Sequence, residues 1–398
     1  MTRLVDVVNF NADASCLSAG RWLAALEGGR ESQLCNWLDL YVTLRRPVVL
    51  GLVGGAIADI ATFNPEAIAL INANSDVIEP VLRPFSHDIG LLRSARGFEL
   101  NVSLGRAVAR REFSSVNEFF LPPEFMLTNS QVKYLSDIGI AGTFLNPTRF
   151  KEEARHRIPD VPFMLEGVLG SRMPCIPFHG ALTKSYLDAL HSFDVMPWVE
   201  AILSVPESPV FTWRDGESCF LVPDGIERER VWLASEPPEI ERELLSIALS
   251  GLVLEARDYR SSDAPPSYPV HSFSAWVKEF RMLGFLGRLE AVERRLQSLS
   301  PDQLVIWLQA INSDILSAVE KDSPVISLVQ QRGRAARSSF TIWRSERGFE
   351  GEDYLALLEA ANDDPQSLDH IWACDRPHLC KLRARIEYVR RFGFEQWS

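Results

Sequence analysis

The stretch FFLPPEFMLTNSQVKYLSDIGIAGTFL, residues 119–145, predicts a strand, a helix and a second strand in direct succession. Residues 118–121 are mostly apolar and aromatic, which favours a strand. Residues 129–138 have helical spacing and end at Gly139, a typical helix terminator. Residues 142–145 form the next apolar run. Because a strand, a helix and a strand in this order usually form a right-handed parallel unit, the stretch predicts an α/β fold.

The same alternation of short apolar runs and helical patterns extends over the first 220 residues or so of the chain. Further strands are predicted at residues 4–10, 48–53, 77–80, 162–165, 174–177 and 210–213, and residues 219–222 are predicted to pair with the last of these as a hairpin. About seven strands are too many for a small flavodoxin-like sheet and close to the number in a barrel. No Gly-x-Gly-x-x-Gly or Walker motif follows any of them, which argues against a nucleotide-binding fold. The predicted fold is a distorted (β/α)7 barrel.

The pattern changes after about residue 240, where helical spacing dominates. Helices are predicted at residues 240–254, 273–299, 301–320 and 354–361, and residues 261–268 are rich in Ser and Pro. The sequence therefore predicts a catalytic barrel over residues 1–260 and a helical domain, a bundle packed on the barrel, over residues 261–398.

Composition excludes several classes of function. The 398 residues are 46% hydrophobic and 24% charged, as in ordinary globular proteins, and carry a net charge of -12, so no nucleic-acid partner is expected. The longest apolar stretch, residues 47–62, contains three glycines and Asp59, so no membrane span is expected. No signal-peptide pattern is visible, and the six cysteines are scattered without a Cys-x-x-Cys pair, which favours a cytoplasmic location. The sequence does not indicate an oligomeric state.

Polar side chains follow several of the predicted strands, where parallel α/β folds place their working groups. Asn11 and Asp13 follow the first strand, His87 the third, Glu124 the fourth, and Asp215 and Glu217 the late strand. A carboxylate at such a position can equally be a helix cap. Glu124 follows two prolines, whose fixed φ angles hold the next side chain in a defined direction.

Four segments resemble glycoside hydrolase family 57, within the wider barrel superfamily that also contains the polysaccharide deacetylases. Residues 119–145 resemble the strand-helix-strand segment that the two groups share, and Glu124 stands where family 57 has its catalytic nucleophile, whereas deacetylases have an aromatic residue there. PVFTWRDGESCFL, residues 209–221, resembles the segment that carries the family's general acid/base, at Asp215. PCIPFHGALTKSYLDAL (174–190) resembles a segment of the amylase-like branch, and LDHIWACDRPH (368–378) resembles an Asp-His-aromatic segment in the family's helical part.

The resemblance implies a retaining glycoside hydrolase or transglycosidase acting on an α-linked glucan or oligosaccharide. Glu124 would be the nucleophile and Asp215 the general acid/base, with their carboxyl groups about 5–5.5 Å apart. Neither a metal nor another cofactor is expected. The residues predicted to contact the sugar are Asn11, Asp13, His87, His179, Trp213, Glu217, Asp369 and His370.

Two alternatives stay open. Family 57 has a His-Gln-Pro motif after its first strand, and this chain has Asn9-Phe10-Asn11 there, which favours a catalytically altered sugar-binding relative. A deacetylase-type hydrolase would need an aspartate and a His-x-x-x-His pair for a divalent metal. Asp13 and His87 lie near the right places, but Leu91 replaces the second histidine, so the ligand set is incomplete. Asp369 and His370 would reach the site only if the helical part folds over the barrel.

Overall fold

The computed structural model describes residues 1–11, 19–146, 161–179, 194–205, 209–252, 254–260, 280–313 and 376–392, with short pieces at 182, 315, 351 and 353–360. The described strands all belong to one sheet. They are β1 (Thr2–Phe10), β2 (Val48–Leu52), β3 (Ile78–Leu82), β4 (Asn117–Phe120), β5 (Gly142–Leu145), β6 (Phe163–Glu166), β7 (Arg172–Pro177), β8 (Val210–Asp215), β9 (Ile240–Arg242) and β10 (Glu255–Arg260).

Seven of these strands form the barrel. The sheet order is β10-β6-β7-β5-β4-β3-β2-β1-β8, and all neighbours are parallel except β6 and β7. The seven strands from β7 to β8 curl until their two ends meet, since the N–H of His179, just after β7, donates a 2.9 Å hydrogen bond to the carbonyl of Phe211 on β8. β6 and β10 extend the sheet beyond β7, and β9 pairs with the start of β1. The predicted distorted (β/α)7 barrel is confirmed.

The barrel interior is filled by side chains that alternate along the strands. One apolar cluster combines residues from β7 and β8, the first and last of the seven barrel strands, which only a curled sheet can bring together. Its members on the barrel strands are Val5, Val7, Val49, Val81, Phe119, Phe144, Ile176 and Phe211.

Helices cover the outer face of the barrel. They are α1 (Ala19–Leu26), α2 (Gln33–Leu44), α3 (Gly54–Phe63), α4 (Pro65–Ala73), α5 (Ala95–Glu112), α6 (Asn129–Asp137), α7 (Met196–Leu203), α8 (Ser218–Leu221), α9 (Gly225–Ser235) and α10 (Leu245–Leu249). Their buried faces join the outward apolar side chains of the strands in a second, larger cluster, except that Leu245 and Ala248 of α10 belong to the inner cluster. Among the residues described, no helix has the length and hydropathy needed to cross a bilayer.

Farther along the described residues lie α11 (Phe280–Glu293), α12 (Pro301–Ala310) and α13 (Pro377–Phe392). α13 lies against α12 and also against α1 and α3 on the outside of the barrel. The outer apolar cluster runs without interruption from β1 to α13. The predicted division at residue 260/261 stays a prediction, because it falls beside residues 261–279, which lie outside the described chain.

Two local predictions are wrong. Residues 219–222 do not form a hairpin strand: α8 turns the chain there, and the N–H of Cys219 donates to the carbonyl of Gly216 at 3.1 Å. Residues 240–254 are not one helix, because they contain β9 and the short helix α10. In both places the parallel sheet decides, since it needs a return crossover after β8, and the start of β1 pairs with β9 before β1 meets β2.

Candidate active site

Asp215 is the last residue of β8, and its side chain points to the carboxyl end of the barrel interior. Phe211 and Trp213, four and two residues earlier, pack in or against the inner cluster, so the strand's period of two places Asp215 on the same side. Arg214 points the opposite way, and its Nε donates a 3.0 Å hydrogen bond to buried Asp6 beneath the outer helices. The alternation therefore directs one carboxylate of the predicted pair into the barrel mouth.

Asn9 on β1 is the direct neighbour of Asp215. The two residues are register partners, and Asn9 Nδ2 donates a 3.1 Å hydrogen bond to Asp215 Oδ1. Arg83, just after β3, donates to Asn9 Oδ1 and also, at 2.6 Å, to Asn11 Oδ1. Because a guanidinium can only donate, these contacts fix the Asn9 amide with its NH₂ group toward Asp215. Asn9 of β1, oriented by Arg83 from the end of β3, thus holds one oxygen of the carboxylate.

Gly51 on β2 makes room for this arrangement. A Cβ at this position would stand 2.7 Å from Leu121 Cδ2 and 3.3 Å from Arg83 Cδ. The Arg83 side chain can therefore cross β2 to reach Asn9 only because residue 51 has no side chain.

Glu217 is fully buried just behind Asp215. Its Oε1 accepts a 2.5 Å hydrogen bond from the backbone N–H of Asn11, and the N–H of Gly216 donates to the carbonyl of Asn9 at 2.9 Å. These two contacts tie the end of β8 to the segment that leaves β1. Glu217 and Asn11 thus anchor the base of the site, and their predicted contact with sugar stays a prediction.

Glu124 lies in a short 3₁₀ turn, Pro123–Phe125, directly after β4. Its backbone has φ 53° and ψ 8°, in the left-handed region that residues with side chains rarely adopt. Phe125 also has a positive φ, and its ring packs 4.8 Å from the ring of Trp213, centroid to centroid. This ring pair links the segment that carries Glu124 to the strand that carries Asp215, on the far side of the barrel mouth.

Ser313, from the C-terminal part of the chain, reaches the same mouth. Its Oγ lies 3.1 Å from His87 Nδ1 and 3.5 Å from Glu124 Oε1. Its N–H donates a 2.8 Å hydrogen bond to the carbonyl of His87, and Asn312 forms a bridge with Asp88. His87 and Ser313 are both buried. The structure therefore brings Glu124 and His87 together through a serine.

A buried ionic cluster fixes the loop that carries His87. Arg93 lies between two carboxylates, with its Nε 3.3 Å from Asp88 Oδ1 and its Nη1 donating to Glu293 Oε2 at 3.0 Å. Glu293, on α11, also accepts hydrogen bonds from the N–H and hydroxyl of Ser94. Burial, only partly offset by Arg93 and reinforced by the nearby Glu293, raises the pKa of Asp88 to about 7.

The other predicted sugar contacts are placed less fully. His179 joins β7 to β8 through its N–H, and its Nδ1 is buried without a hydrogen-bond partner among the described residues. Asp13, Asp369 and His370 lie outside the described residues. Within the described chain, no three His, Cys, Asp or Glu side chains are grouped as a metal would require.

Sequence reasoning missed three residues of this site as candidates: Asn9, Arg83 and Ser313. Asn9 and Arg83 end predicted strands, so their positions were a usable signal. No signal in the sequence marks Ser313, which is 189 residues from Glu124 and follows a helix rather than a strand.

Several solved structures share this architecture. A GH57-type branching enzyme from Pyrococcus horikoshii has a TM-score of 0.64 at 10% identity, covering 100% of this chain and 96% of that one. The α-amylase AmyC from Thermotoga maritima has a TM-score of 0.57 at 8% identity, and the match covers 100% of this chain and 99% of that one. The 4-alpha-glucanotransferase from Thermococcus litoralis has a TM-score of 0.56 at 13% identity. That match covers 98% of this chain but only 60% of that enzyme.

The chain therefore has the barrel fold found in glycoside hydrolase family 57. The resemblance to that family and its superfamily, drawn from four short motifs, is confirmed at the level of the fold. No protein-family model matches the sequence, and no curated protein matches it.

Proposed function

We propose that the chain is a retaining glycoside hydrolase or transglycosidase acting on an α-linked glucan or oligosaccharide, with Glu124 as nucleophile and Asp215 as general acid/base. The observation that carries the proposal is the joint position of the two side chains. Both follow barrel strands at the carboxyl end, and the Phe125–Trp213 ring contact of 4.8 Å joins their segments across the mouth. The names of the three structural neighbours given above, a branching enzyme, an α-amylase and a 4-alpha-glucanotransferase, support the substrate class.

The residue types fit a double displacement. In the first half, a Glu124 oxygen forms a bond to the anomeric carbon while the bond to the leaving oxygen breaks, and that oxygen takes the proton of Asp215. In the second half, Asp215 takes a proton from water or an acceptor hydroxyl, whose oxygen displaces Glu124. The rings of Trp213 and Phe125 form an apolar wall beside Asp215 that excludes water from one side of the pair.

The first prediction tests both carboxylates. Glu124→Gln and Asp215→Asn are each expected to lower turnover on maltooligosaccharides about 10²–10⁴-fold, because each removes an essential nucleophile or proton donor. Both changes keep the size of the side chain, so the thermal unfolding midpoint should stay near that of the unaltered chain. Glu118→Gln is the matched control. Glu118 lies on β4, the strand that Glu124 follows, but it pairs with Arg106 and Arg110.

Product analysis separates the alternatives. Unchanged turnover in both variants would reject the assignment of the pair. Loss of activity on treatment with a chelator, with acetate as product, would indicate the deacetylase-type hydrolase. Binding of maltooligosaccharides without turnover, unaltered in Glu124→Gln, would indicate the catalytically altered relative that the Asn9-Phe10-Asn11 segment favours.

A further inference from the structure

Ser313 links two of the predicted site residues. Its hydroxyl lies between Glu124 Oε1, at 3.5 Å, and His87 Nδ1, at 3.1 Å. The side chain is buried, so its contacts are made within the protein. Hydrogen bonds at catalytic groups are often long without substrate and shorten when substrate binds, which suits the 3.5 Å separation.

The number of available protons determines which atom donates in each of the hydrogen bonds from His87 through Ser313 to Glu124. A serine hydroxyl carries a single proton, and an ionised carboxylate can only accept. When Glu124 is ionised, the Ser313 proton points to Oε1, and His87 Nδ1 must then carry the proton that it donates to Ser313 Oγ. The tautomer of His87 and the ionised state of Glu124 are therefore coupled through one hydroxyl.

We propose that Ser313 is a positioning residue for the nucleophile: its hydroxyl, oriented by His87, holds Oε1 of Glu124 and leaves the second oxygen to attack. The inference rests on the proposed function and deepens it. It also means that the C-terminal part of the chain completes a site otherwise built by the barrel.

The position of Ser313 is well defined by its surroundings. Its N–H is bonded to the carbonyl of His87, and the adjacent Asn312 forms a bridge with Asp88. Farther along the same loop, Arg93 is paired with Glu293 of α11. By contrast, the half-buried Glu124 has a left-handed backbone. A donor held at one oxygen of the Glu124 carboxylate fixes the direction in which the other oxygen points toward the substrate.

The test isolates the nucleophilic step. With 5-fluoro-α-D-glucosyl fluoride, a Glu124 oxygen bonds to the anomeric carbon while the C–F bond breaks and fluoride leaves with the electron pair. No proton from Asp215 is needed, so the labelling rate reports on Glu124. The rate is measured by mass spectrometry of the intact chain and of the peptide that contains Glu124.

Ser313→Ala is expected to slow labelling at least tenfold, the loss typical of a hydrogen bond to a charged group. Ser313→Thr keeps the hydroxyl and should label within about threefold of the unaltered chain. His87→Asn, which retains an N–H donor near Nδ1, should label faster than His87→Leu. Ser32→Ala is the control, because Ser32 is an equally buried serine that caps α2 and should leave labelling unchanged.

The outcomes are distinguishable. If Ser313→Ala labels as fast as the unaltered chain, the inference is overturned while the proposed function stands. If Ser313→Thr is as slow as Ser313→Ala with an unchanged unfolding midpoint, the hydroxyl is not the cause, and the inference also fails. If Ser313→Thr lowers the unfolding midpoint, the two His87 variants are compared instead. Equal labelling rates in His87→Asn and His87→Leu would overturn the inference. If the unaltered chain is not labelled at Glu124, the proposed function fails and the inference fails with it.

Discussion

At Glu124 the chain adopts a conformation that the adjacent prolines alone do not produce. The fixed φ of Pro122 and Pro123 sets the direction of approach, as the sequence predicted. The left-handed backbone at Glu124 and again at Phe125 is held by tertiary contacts, above all the packing of the Phe125 ring on Trp213. Such strained positions cost about 1–3 kcal/mol each and persist only where the surroundings enforce them. Strain at Glu124 is consistent with a functional role for that residue.

Asp88 provides a pH-dependent test beside the same site. Burial raises its pKa to about 7, whereas the unfolded chain ionises near 3.9. The native state therefore binds the proton more tightly, and stability falls as pH rises from about 4 to about 7. Asp88→Asn cannot ionise, so its free energy of unfolding should exceed that of the unaltered chain at pH 8.

Urea unfolding at pH 5 and pH 8 measures this difference. The stability gained by Asp88→Asn should be smaller at pH 5, where native Asp88 is still mostly protonated, than at pH 8. Asp137→Asn is the control, since Asp137 is exposed and pairs with Lys133 one helical turn away. An equal effect of Asp88→Asn at both pH values would contradict the raised pKa.

At the scale of the element, α5 sets the position of the loop after β3. Gly105 lies on the buried face of this helix, and a Cβ there would stand 2.5 Å from the carbonyl carbon of Pro84 and closer still to the carbonyl oxygen of Arg83. The helix can therefore touch the loop backbone directly. That loop carries both Arg83 and His87, so the glycine indirectly places two side chains of the site.

Gly105→Ala is expected to lower the free energy of unfolding by about 1–3 kcal/mol, because the methyl group overfills a packed contact, and to reduce turnover by shifting Arg83 and His87. The matched change is Gly284→Ala in α11, where an added Cβ meets nothing within 4 Å. That change should stabilise the chain by about 0.5–1 kcal/mol through helix propensity. Equal effects of the two changes in thermal unfolding would show that α5 does not press on the loop.

Elements were predicted best where their signals were local. The helix predicted at residues 129–138, with Gly139 as its terminator, is α6 (Asn129–Asp137), and Gly139 has φ 75°. α8 and β9 were assigned wrongly because short apolar runs fit either type of element. Their states depend on partners far along the chain: β9 is a strand because Thr2 and Leu4 of β1 lie beside it.

At the scale of the whole molecule, one buried ion pair joins the last helix to the barrel. Arg385 of α13 donates to both oxygens of Asp59 on α3, at 2.8 and 2.5 Å, and Trp22 donates to Asp59 at 2.9 Å. Gly55 allows the approach, since a Cβ there would stand 2.8 Å from the Arg385 guanidinium. A pair with this degree of burial makes the two parts of the chain interdependent.

Arg385→Met should lower the free energy of unfolding by about 3–5 kcal/mol, because it leaves Asp59 buried without its cation. Circular dichroism and tryptophan fluorescence should still report one coincident transition, shifted as a whole, since the outer apolar cluster runs from β1 to α13. Arg390→Met on the same helix is the control: its pair with Asp302 is half-exposed and should cost at most about 1 kcal/mol. Two separate transitions would indicate that barrel and helices unfold independently.

The sequence by itself determined the alternation of strands and helices, the barrel class and the two carboxylates at strand ends, because periodicity, caps and prolines act within a few residues. Only the tertiary structure decided which side chains hold those carboxylates. Asn9 meets Asp215 through strand register, Arg83 reaches Asn9 across Gly51, and Ser313 meets Glu124 from 189 residues away. Contacts of that kind depend on how the barrel closes and where the C-terminal helices pack, and no local pattern of residues encodes them.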